Sequence, residues 1–91
     1  MQPGQSLEAL AELLRRFVAG EDQSREFVKE IDALLTEAFP EGAGFPDAEA
    51  FEELEVGVAC YRPGGGQFMY DEAQMASVCA SVLARLVSLT R

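Results

Sequence analysis

The fold follows from the stretch LEALAELLRRFV at residues 7–18, in which apolar side chains recur every three or four positions. This spacing places them on one side of an α-helix and leaves the charged side chains on the other. The stripe is formed by Leu7, Leu10, Leu14 and Phe17, with Leu13 and Val18 beside it. Ser6 is a plausible N-cap and Gly20 a plausible stop, so the sequence predicts a first helix between them.

Three further segments show the same helical spacing. The second helix follows Asp22 and Ser24, either of which can cap it, and the third follows Asp47. Asp71 begins a D-x-x-Q capping box with Gln74 and marks the start of the fourth helix. The apolar stripes of these helices are Phe27, Val28, Ile31, Leu34, Leu35 and Ala38; Phe51, Leu54, Val58 and Tyr61; and Met75, Val78, Val82, Leu86 and Leu89, with Cys79 and Leu83 alongside.

Short connections between these helices predict antiparallel neighbours. We therefore expect an all-α fold, an antiparallel four-helix bundle that takes up residues 1–91 as one domain, with residues 1–5 disordered. The run Gly64-Gly65-Gly66 is expected to be a plain, flexible connector. It has neither the G-K-[ST] ending nor the preceding strand of a phosphate-binding loop.

The composition restricts the possible partners. With 16 acidic and 7 basic residues, the chain has a formal net charge of −9. Nucleic acids and anionic membranes both require clustered Lys and Arg, so neither is expected as a partner. No apolar run approaches the ~20 residues of a transmembrane helix, and residues 1–6 lack the features of a signal peptide. We expect a cytoplasmic protein that attracts a basic protein partner.

Negative charge is most concentrated at the start of the third helix, where five carboxylates fall within residues 47–55. At about 100° per residue, four of them point away from the apolar stripe. They are Glu49, Glu52 and Glu53, opposite the stripe, and Glu55, at its edge. Such a face either binds a cationic partner or is simply solvated. Gly57 costs this helix roughly 1 kcal/mol relative to Ala, and a close approach between two helices is the usual reason for such a residue.

The residue types that usually carry catalysis are missing. The chain has no histidine, so Cys60 and Cys79 have no partner that would activate a thiol. There is no C-x-x-C pair and no calcium-binding loop. We therefore predict no enzyme activity, no cofactor and no metal. The two cysteines are expected to be reduced and partly buried.

The fourth helix has an uncharged surface, because no charged residue occurs between Glu72 and Arg85. Small side chains form the side opposite its apolar stripe, namely Ala76, Ser77, Ala80, Ser81 and Ala84. Such a helix either packs on more than one side within the bundle or contacts a partner.

Several short motifs follow one another along nearly the whole chain. They are Leu13-Leu14-x-x-Phe17-x-x-Gly20; Phe27 with the stripe Ile31, Leu34 and Leu35; Glu52-Glu53-Leu54; the helix ending Tyr61-Arg62-Pro63; and Tyr70-Asp71-Glu72. In this order and spacing the chain resembles the colicin D-type family of immunity proteins. The resemblance implies a four-helix bundle whose partner is the nuclease domain of a bacterial toxin, in that family a tRNA-cleaving ribonuclease. It also implies that the bundle covers the basic active-site surface of the toxin and mimics the negative charge of tRNA.

The chain departs from this family at three positions. Where family members have acidic residues that contact the toxin, this chain has Ala59, Arg62 and Gly64. Its own acids lie earlier on the third helix and after the glycine run. We therefore expect toxin-binding contacts from Glu49, Glu52, Glu53, Glu55, Asp71 and Glu72, with Tyr61, Phe68, Met69 and Tyr70 as apolar anchors.

The preferred hypothesis is thus a monomeric immunity protein that forms a 1:1 complex with the basic nuclease domain of a secreted or contact-delivered toxin. An alternative is a small acidic regulatory or adaptor module that dimerises through the uncharged side of the fourth helix or binds another basic protein. A third is an enzyme subunit with no chemistry of its own. A neighbouring gene for a large secreted protein with a basic C-terminal domain would favour the first hypothesis, and a concentration-dependent mass would favour the second.

Overall fold

The computed structural model describes the backbone of residues 3–89 and the side chains of residues 5–86. Its helices are α1, Pro3–Val18; α2, Arg25–Ala38; α3, Ala48–Cys60; and α4, Glu72–Leu89, with a short 3-10 helix, Pro40–Gly42, between α2 and α3. α1 packs against α2 and α4, and α3 packs against the same two helices, so the four close into one bundle. Residues 3–89 contain no β-strand beyond two isolated bridges, and the predicted all-α, antiparallel four-helix bundle is confirmed.

Polar side chains cap α2 and α3 at their N-termini as predicted. Ser24 Oγ accepts a hydrogen bond from the Phe27 amide at 3.1 Å, and Asp22 Oδ1 accepts one from the Ser24 amide at 3.0 Å. Both candidate residues therefore act at this helix start. Asp47 Oδ1 accepts from the Ala50 amide at 3.0 Å, which satisfies a donor that the first turn of α3 would otherwise leave unpaired.

The capping box at α4 is confirmed in both directions. The Gln74 amide donates to Asp71 Oδ1 at 2.8 Å, and the Asp71 amide donates to Gln74 Oε1 at 3.0 Å.

Gly20 ends α1 as predicted. It adopts φ +78°, a left-handed conformation that glycine accepts without strain, and its amide donates to the Phe17 carbonyl.

One boundary differs from the prediction, because α1 begins at Pro3 rather than after Ser6. Proline suits the first helical position, where its missing amide would have no partner, so the helix starts before the polar cap candidate. Ser6 consequently lies within α1 and is only 3% exposed. Residues 3–5 are helical instead of disordered, while Met1 and Gln2 lie outside the described residues.

The predicted apolar stripes meet in one core between the four helices. Its most completely buried side chains are Leu10, Leu14, Phe17, Ile31, Leu35, Phe39, Leu54, Met75, Cys79 and Val82. Gly57 lies where α3 contacts α4, and an added Cβ would be 3.0 Å from Met75 Sδ and 3.2 Å from Val78 Cγ1. The predicted role of this glycine in a close helix–helix contact is therefore confirmed. The side chain of Leu89 lies outside the described residues.

The uncharged fourth helix is packed on more than one side, because α4 contacts both α1 and α3. Part of its small-residue side is nevertheless exposed, at Ser77, Ala80 and Ala84. Within the described chain, no helix has the length and apolar character needed to cross a membrane.

Candidate partner-binding surface

The acidic residues of α3 differ in their exposure to solvent. Three are exposed, as their spacing predicts: Glu49, Glu52 and Glu55. Glu53 is half-buried, and its carboxylate accepts a hydrogen bond from Ser81 Oγ of α4 at 3.4 Å. The prediction that Glu53 lies on the solvent face is therefore wrong. Glu53 precedes Gly57 by about one helical turn, so the glycine that brings α4 close to α3 also brings it close to Glu53.

Arg85 of α4 neutralises part of the charge at the N-terminus of α3. Its Nη1 lies 3.2 Å from Glu49 Oε2 and 3.3 Å from Asp47 Oδ1. The first-turn amide that Asp47 caps, together with this guanidinium, holds the pKa of Asp47 below its usual value. Glu52 and Glu55 have no such ion pair among the described residues, so their charge is available to another molecule.

A groove of about 410 Å3 runs beside these two carboxylates, between the N-terminal half of α3 and the loop that precedes it. We call it the acidic groove, and it is lined by Glu41, Gly42, Phe45, Ala48, Phe51, Glu52 and Glu55. The rings of Phe45 and Phe51 meet edge to face with centroids 5.4 Å apart, which gives the carboxylates an apolar floor. Such a groove fits a Lys or Arg side chain, because the stem can cover aromatic surface while the charged end reaches a carboxylate.

The segment between α3 and α4, residues 61–71, is held by internal hydrogen bonds and is more than a plain connector. We call it the glycine loop. The Arg62 amide donates to the Tyr70 carbonyl at 2.9 Å, which closes the base of the loop. The Gly64 amide donates to Glu72 Oε1, also at 2.9 Å, and this bond ties the loop to the first turn of α4.

The predicted apolar anchors of the glycine loop differ in exposure. Phe68 is 89% exposed and adopts φ +64°, which is uncommon for an aromatic residue. Met69 and Tyr70 are half-buried. Asp71 and Glu72 are also half-buried, and both accept hydrogen bonds from backbone amides of their own chain. Phe68 is therefore the anchor that projects furthest from the fold.

Tyr61 is buried in the core, so the prediction that it is an interface anchor is wrong. Its ring contacts Phe17 edge on, with centroids 5.4 Å apart, and its hydroxyl donates to the Gln23 carbonyl. Burial raises the pKa of Tyr61, so this donor keeps its proton. Tyr61 thus fastens the end of α3 to the connection between α1 and α2. Its place at the end of the α3 stripe was the signal for a core residue.

A second groove, of about 430 Å3, lies between α2 and the C-terminal end of α3. We call it the basic groove, and it is lined by Arg25, Val28, Lys29, Asp32, Val58, Ala59, Tyr61, Arg62 and Met69. The sequence analysis did not predict this groove, because it considered the large negative net charge and not the local group of basic residues. The i, i+4 spacing of Arg25 and Lys29 was the available signal, since it places both on one side of α2.

The two grooves follow one another along α3. The acidic groove uses Ala48, Phe51 and Glu55, and the basic groove continues with Val58, at steps of three or four residues that keep these positions on one face of α3. The cations of the basic groove come from α2 and from Arg62, which follows the end of α3. The surface is therefore negative beside the N-terminal half of α3 and positive beside its C-terminal end.

The two thiols are free and lie in different environments. Cys79 is buried in the core, and burial raises its pKa to about 12. A thiol with so high a pKa is almost entirely protonated at neutral pH and is a poor nucleophile. Cys60 is half-buried at the end of α3.

Within the part of the chain that the structure describes, no group of three His, Cys, Asp or Glu side chains could hold a metal ion.

Comparison with protein-family models, with curated proteins and with solved structures gives no match for this chain. The resemblance to colicin D-type immunity proteins accordingly stays a prediction from the sequence motifs. What the surface can bind follows from the two grooves and from Phe68.

Proposed function

We propose that this chain is an immunity protein that binds the basic nuclease domain of a bacterial toxin and blocks its active site. The observation that supports this most is the acidic groove, where the unpaired carboxylates of Glu52 and Glu55 border an aromatic floor. The partner would be a tRNA-cleaving ribonuclease, bound 1:1 in the cytoplasm, as the sequence resemblance implies. The chain itself performs no chemistry in this proposal.

A ribonuclease requires a basic cleft because its substrate is a polyanion. A Lys or Arg from that cleft would lay its stem on Phe45 and Phe51 and bring its charge to Glu52 and Glu55. The same contact would occupy a side chain that the toxin needs for RNA phosphates, so that binding and inhibition would be one event. Complementary charge would also speed the encounter, to as much as about 10⁸–10⁹ M⁻¹s⁻¹ at low salt.

Charge complementarity gives speed and specificity, but tight binding also requires buried apolar contact. Phe68 supplies a candidate, since it is 89% exposed on a loop whose base is closed by hydrogen bonds. Burying a side chain of this size contributes about 1.5–3 kcal/mol. In the complex, Phe68 would occupy an apolar recess of the toxin beside its basic cleft.

The test requires the basic C-terminal domain of a large secreted protein encoded beside this chain, where the gene neighbourhood contains one. That domain is expressed in cells that carry either the wild-type chain or the variant Glu52→Lys with Glu55→Lys. Both positions are exposed, so we expect the variant to fold. It should fail to protect the cells, leave tRNA cleaved, and associate more slowly in vitro. Added salt should narrow the difference in association rate from wild type, because salt screens exposed charges.

A matched control is Glu8→Lys with Glu30→Lys, which makes the same change in net charge at exposed positions of α1 and α2. This control should protect nearly as well as wild type. Full protection by the groove variant, or equal loss in the control, would show that the acidic groove is only a solvated surface.

The alternative regulatory module has one observation in its favour, the exposed small residues Ser77, Ala80 and Ala84 on α4. Small side chains permit a second helix to approach closely. If this surface joins two copies, Ala80→Arg should abolish a dimer that wild type forms at high concentration.

A further inference from the structure

Three of the basic side chains have no acidic partner within the described part of the chain. Arg15 lies 3.3 Å from Glu12, Arg16 lies 3.9 Å from Glu21, and Arg85 lies between two carboxylates of α3. The unpaired ones are Arg25, Lys29 and Arg62. All three line the basic groove.

Three unpaired basic side chains in one groove are unexpected here, because the chain has 16 acidic and 7 basic residues and therefore enough carboxylates to pair with every cation. Only one carboxylate, that of Asp32, lines the basic groove, so its formal charge is positive. Like charges held close together repel, and an anionic ligand would remove that repulsion. Arg and Lys donate strong, charge-assisted hydrogen bonds to carboxylates, which makes such a ligand the natural complement.

The lining of the basic groove is partly apolar, so we expect its ligand to carry an apolar group as well. Three apolar side chains line the groove, the buried Val28 and the half-buried Val58 and Met69. The volume of about 430 Å3 lies within the range of ligand pockets and exceeds what a single small anion fills. The backbone of Arg62 is held in place, since its amide donates to the Tyr70 carbonyl.

We propose that the basic groove binds a short acidic segment of a partner protein, with one or two carboxylates on the basic side chains and an apolar side chain between Val58 and Met69. A nucleic acid is disfavoured, because Asp32 and the net charge of −9 would repel its phosphates. The proposal concerns a groove separate from the acidic one. It therefore stands whether or not the partner is a nuclease.

The experiment is a titration of the isotopically labelled full chain, followed by backbone amide NMR signals. The probe is a short peptide of alternating glutamate and leucine, and its matched control has glutamine in place of glutamate. We expect saturable shifts confined to residues 25–32 and 58–70 with the glutamate peptide. The glutamine peptide should bind about tenfold more weakly, which corresponds to about 1.4 kcal/mol.

A pair of variants tests the side chains themselves. Arg25→Gln with Lys29→Gln should reduce affinity for the glutamate peptide about tenfold. Arg15→Gln with Arg16→Gln removes the same charge outside the groove and should leave affinity within about a factor of two of wild type. All four positions are exposed, and far-UV circular dichroism checks that each variant is folded.

The proposal is overturned by any of four results. The first is a glutamine peptide that binds as tightly as the glutamate peptide, and the second is an Arg25/Lys29 variant that binds as tightly as wild type. The third is inorganic phosphate producing the same shifts at the same concentration, which would make the groove a simple anion site. The fourth is a short single-stranded RNA that binds more tightly than the peptide, which would assign the groove to nucleic acid.

Discussion

Gly57 has no side chain, and this allows α3 and α4 to pack closely at this position. Met75 is fully buried on the opposite side of this contact, and Val78 is buried and stiff because it is β-branched. Both neighbours would have to shift by a few tenths of an ångström to make room for a methyl group. The cost of glycine in the helix is therefore offset by the close approach that it permits.

Gly57→Ala tests this balance. Alanine is normally about 1 kcal/mol better than glycine in a helix, but overpacking a tight core costs about 1–3 kcal/mol. We expect a net loss of roughly 1 kcal/mol in the free energy of unfolding, measured by urea denaturation. A gain of about 1 kcal/mol, as at an exposed helical glycine, would mean that the two helices can move apart freely.

Asp47 makes the free energy of unfolding depend on pH under acid conditions. The Ala50 amide, followed by the Arg85 guanidinium, holds the pKa of Asp47 below its usual value of 3.8. The carboxylate therefore contributes stability above that value, and the contribution is lost as the pH falls through the lowered pKa. Asp47→Asn keeps an oxygen for the N-cap but has no proton to gain in this range.

We expect the stability advantage of wild type over Asp47→Asn to be constant near neutral pH and to shrink below about pH 4. Urea denaturation of both proteins across an acid pH series provides the measurement. A difference that stays constant throughout the series would show that the charge of Asp47 contributes nothing beyond its cap.

At the scale of elements, the glycine loop differs most from the prediction, which was a plain and flexible connector. Its base is closed by hydrogen bonds, and its exposed aromatic side chain makes no contact that stabilises the fold. Phe68 also carries the cost of a left-handed backbone, about 1–2 kcal/mol for an L-residue. A loop that keeps such a residue suits contact with another molecule better than stability of its own chain.

Truncation of the exposed Phe68 should therefore change stability much less than truncation of the buried Phe39. Phe68→Gly should change the free energy of unfolding by less than about 1 kcal/mol, because the strain it relieves offsets the flexibility it adds. Phe39→Ala should cost about 3–5 kcal/mol, since Phe39 is fully buried and contacts Phe45 at 5.2 Å between centroids. Thermal or urea unfolding separates these outcomes. A large loss at Phe68 would contradict a binding role for the loop.

Helical periodicity predicted the four helices, the caps at Asp47 and Asp71 and nearly all of the core, because those features depend on side chains close in sequence. Periodicity also placed Tyr61 in the apolar stripe of α3, and the error there was to assign this core residue to the interface as well. It failed at Glu53, because the neighbouring Ser81 comes from another helix. The basic groove was missed for the same reason. Arg62 joins the cations of α2 only after α2 and α3 have packed together.

At the scale of the whole molecule, the net charge of −9 opposes self-association. We expect the free chain to sediment with a mass near 9.9 kDa at every concentration tested, at low and at moderate salt. A mass that rises toward twice this value with concentration would instead favour the dimeric regulatory module. If the proposed function is right, mixing with the cognate nuclease domain should give one species of 1:1 stoichiometry.

The order of the two grooves along α3 gives the binding surface a polarity. A partner turned end for end would bring its cations to Arg25 and Arg62 and its carboxylates to Glu52 and Glu55, so it would be repelled at both ends. For a partner that spans both grooves, the electrostatic field would thus select the orientation before any side chain is buried. Because all four side chains are exposed, reversing the sign of the charge at each of these positions would reverse the preferred orientation while leaving the bundle intact.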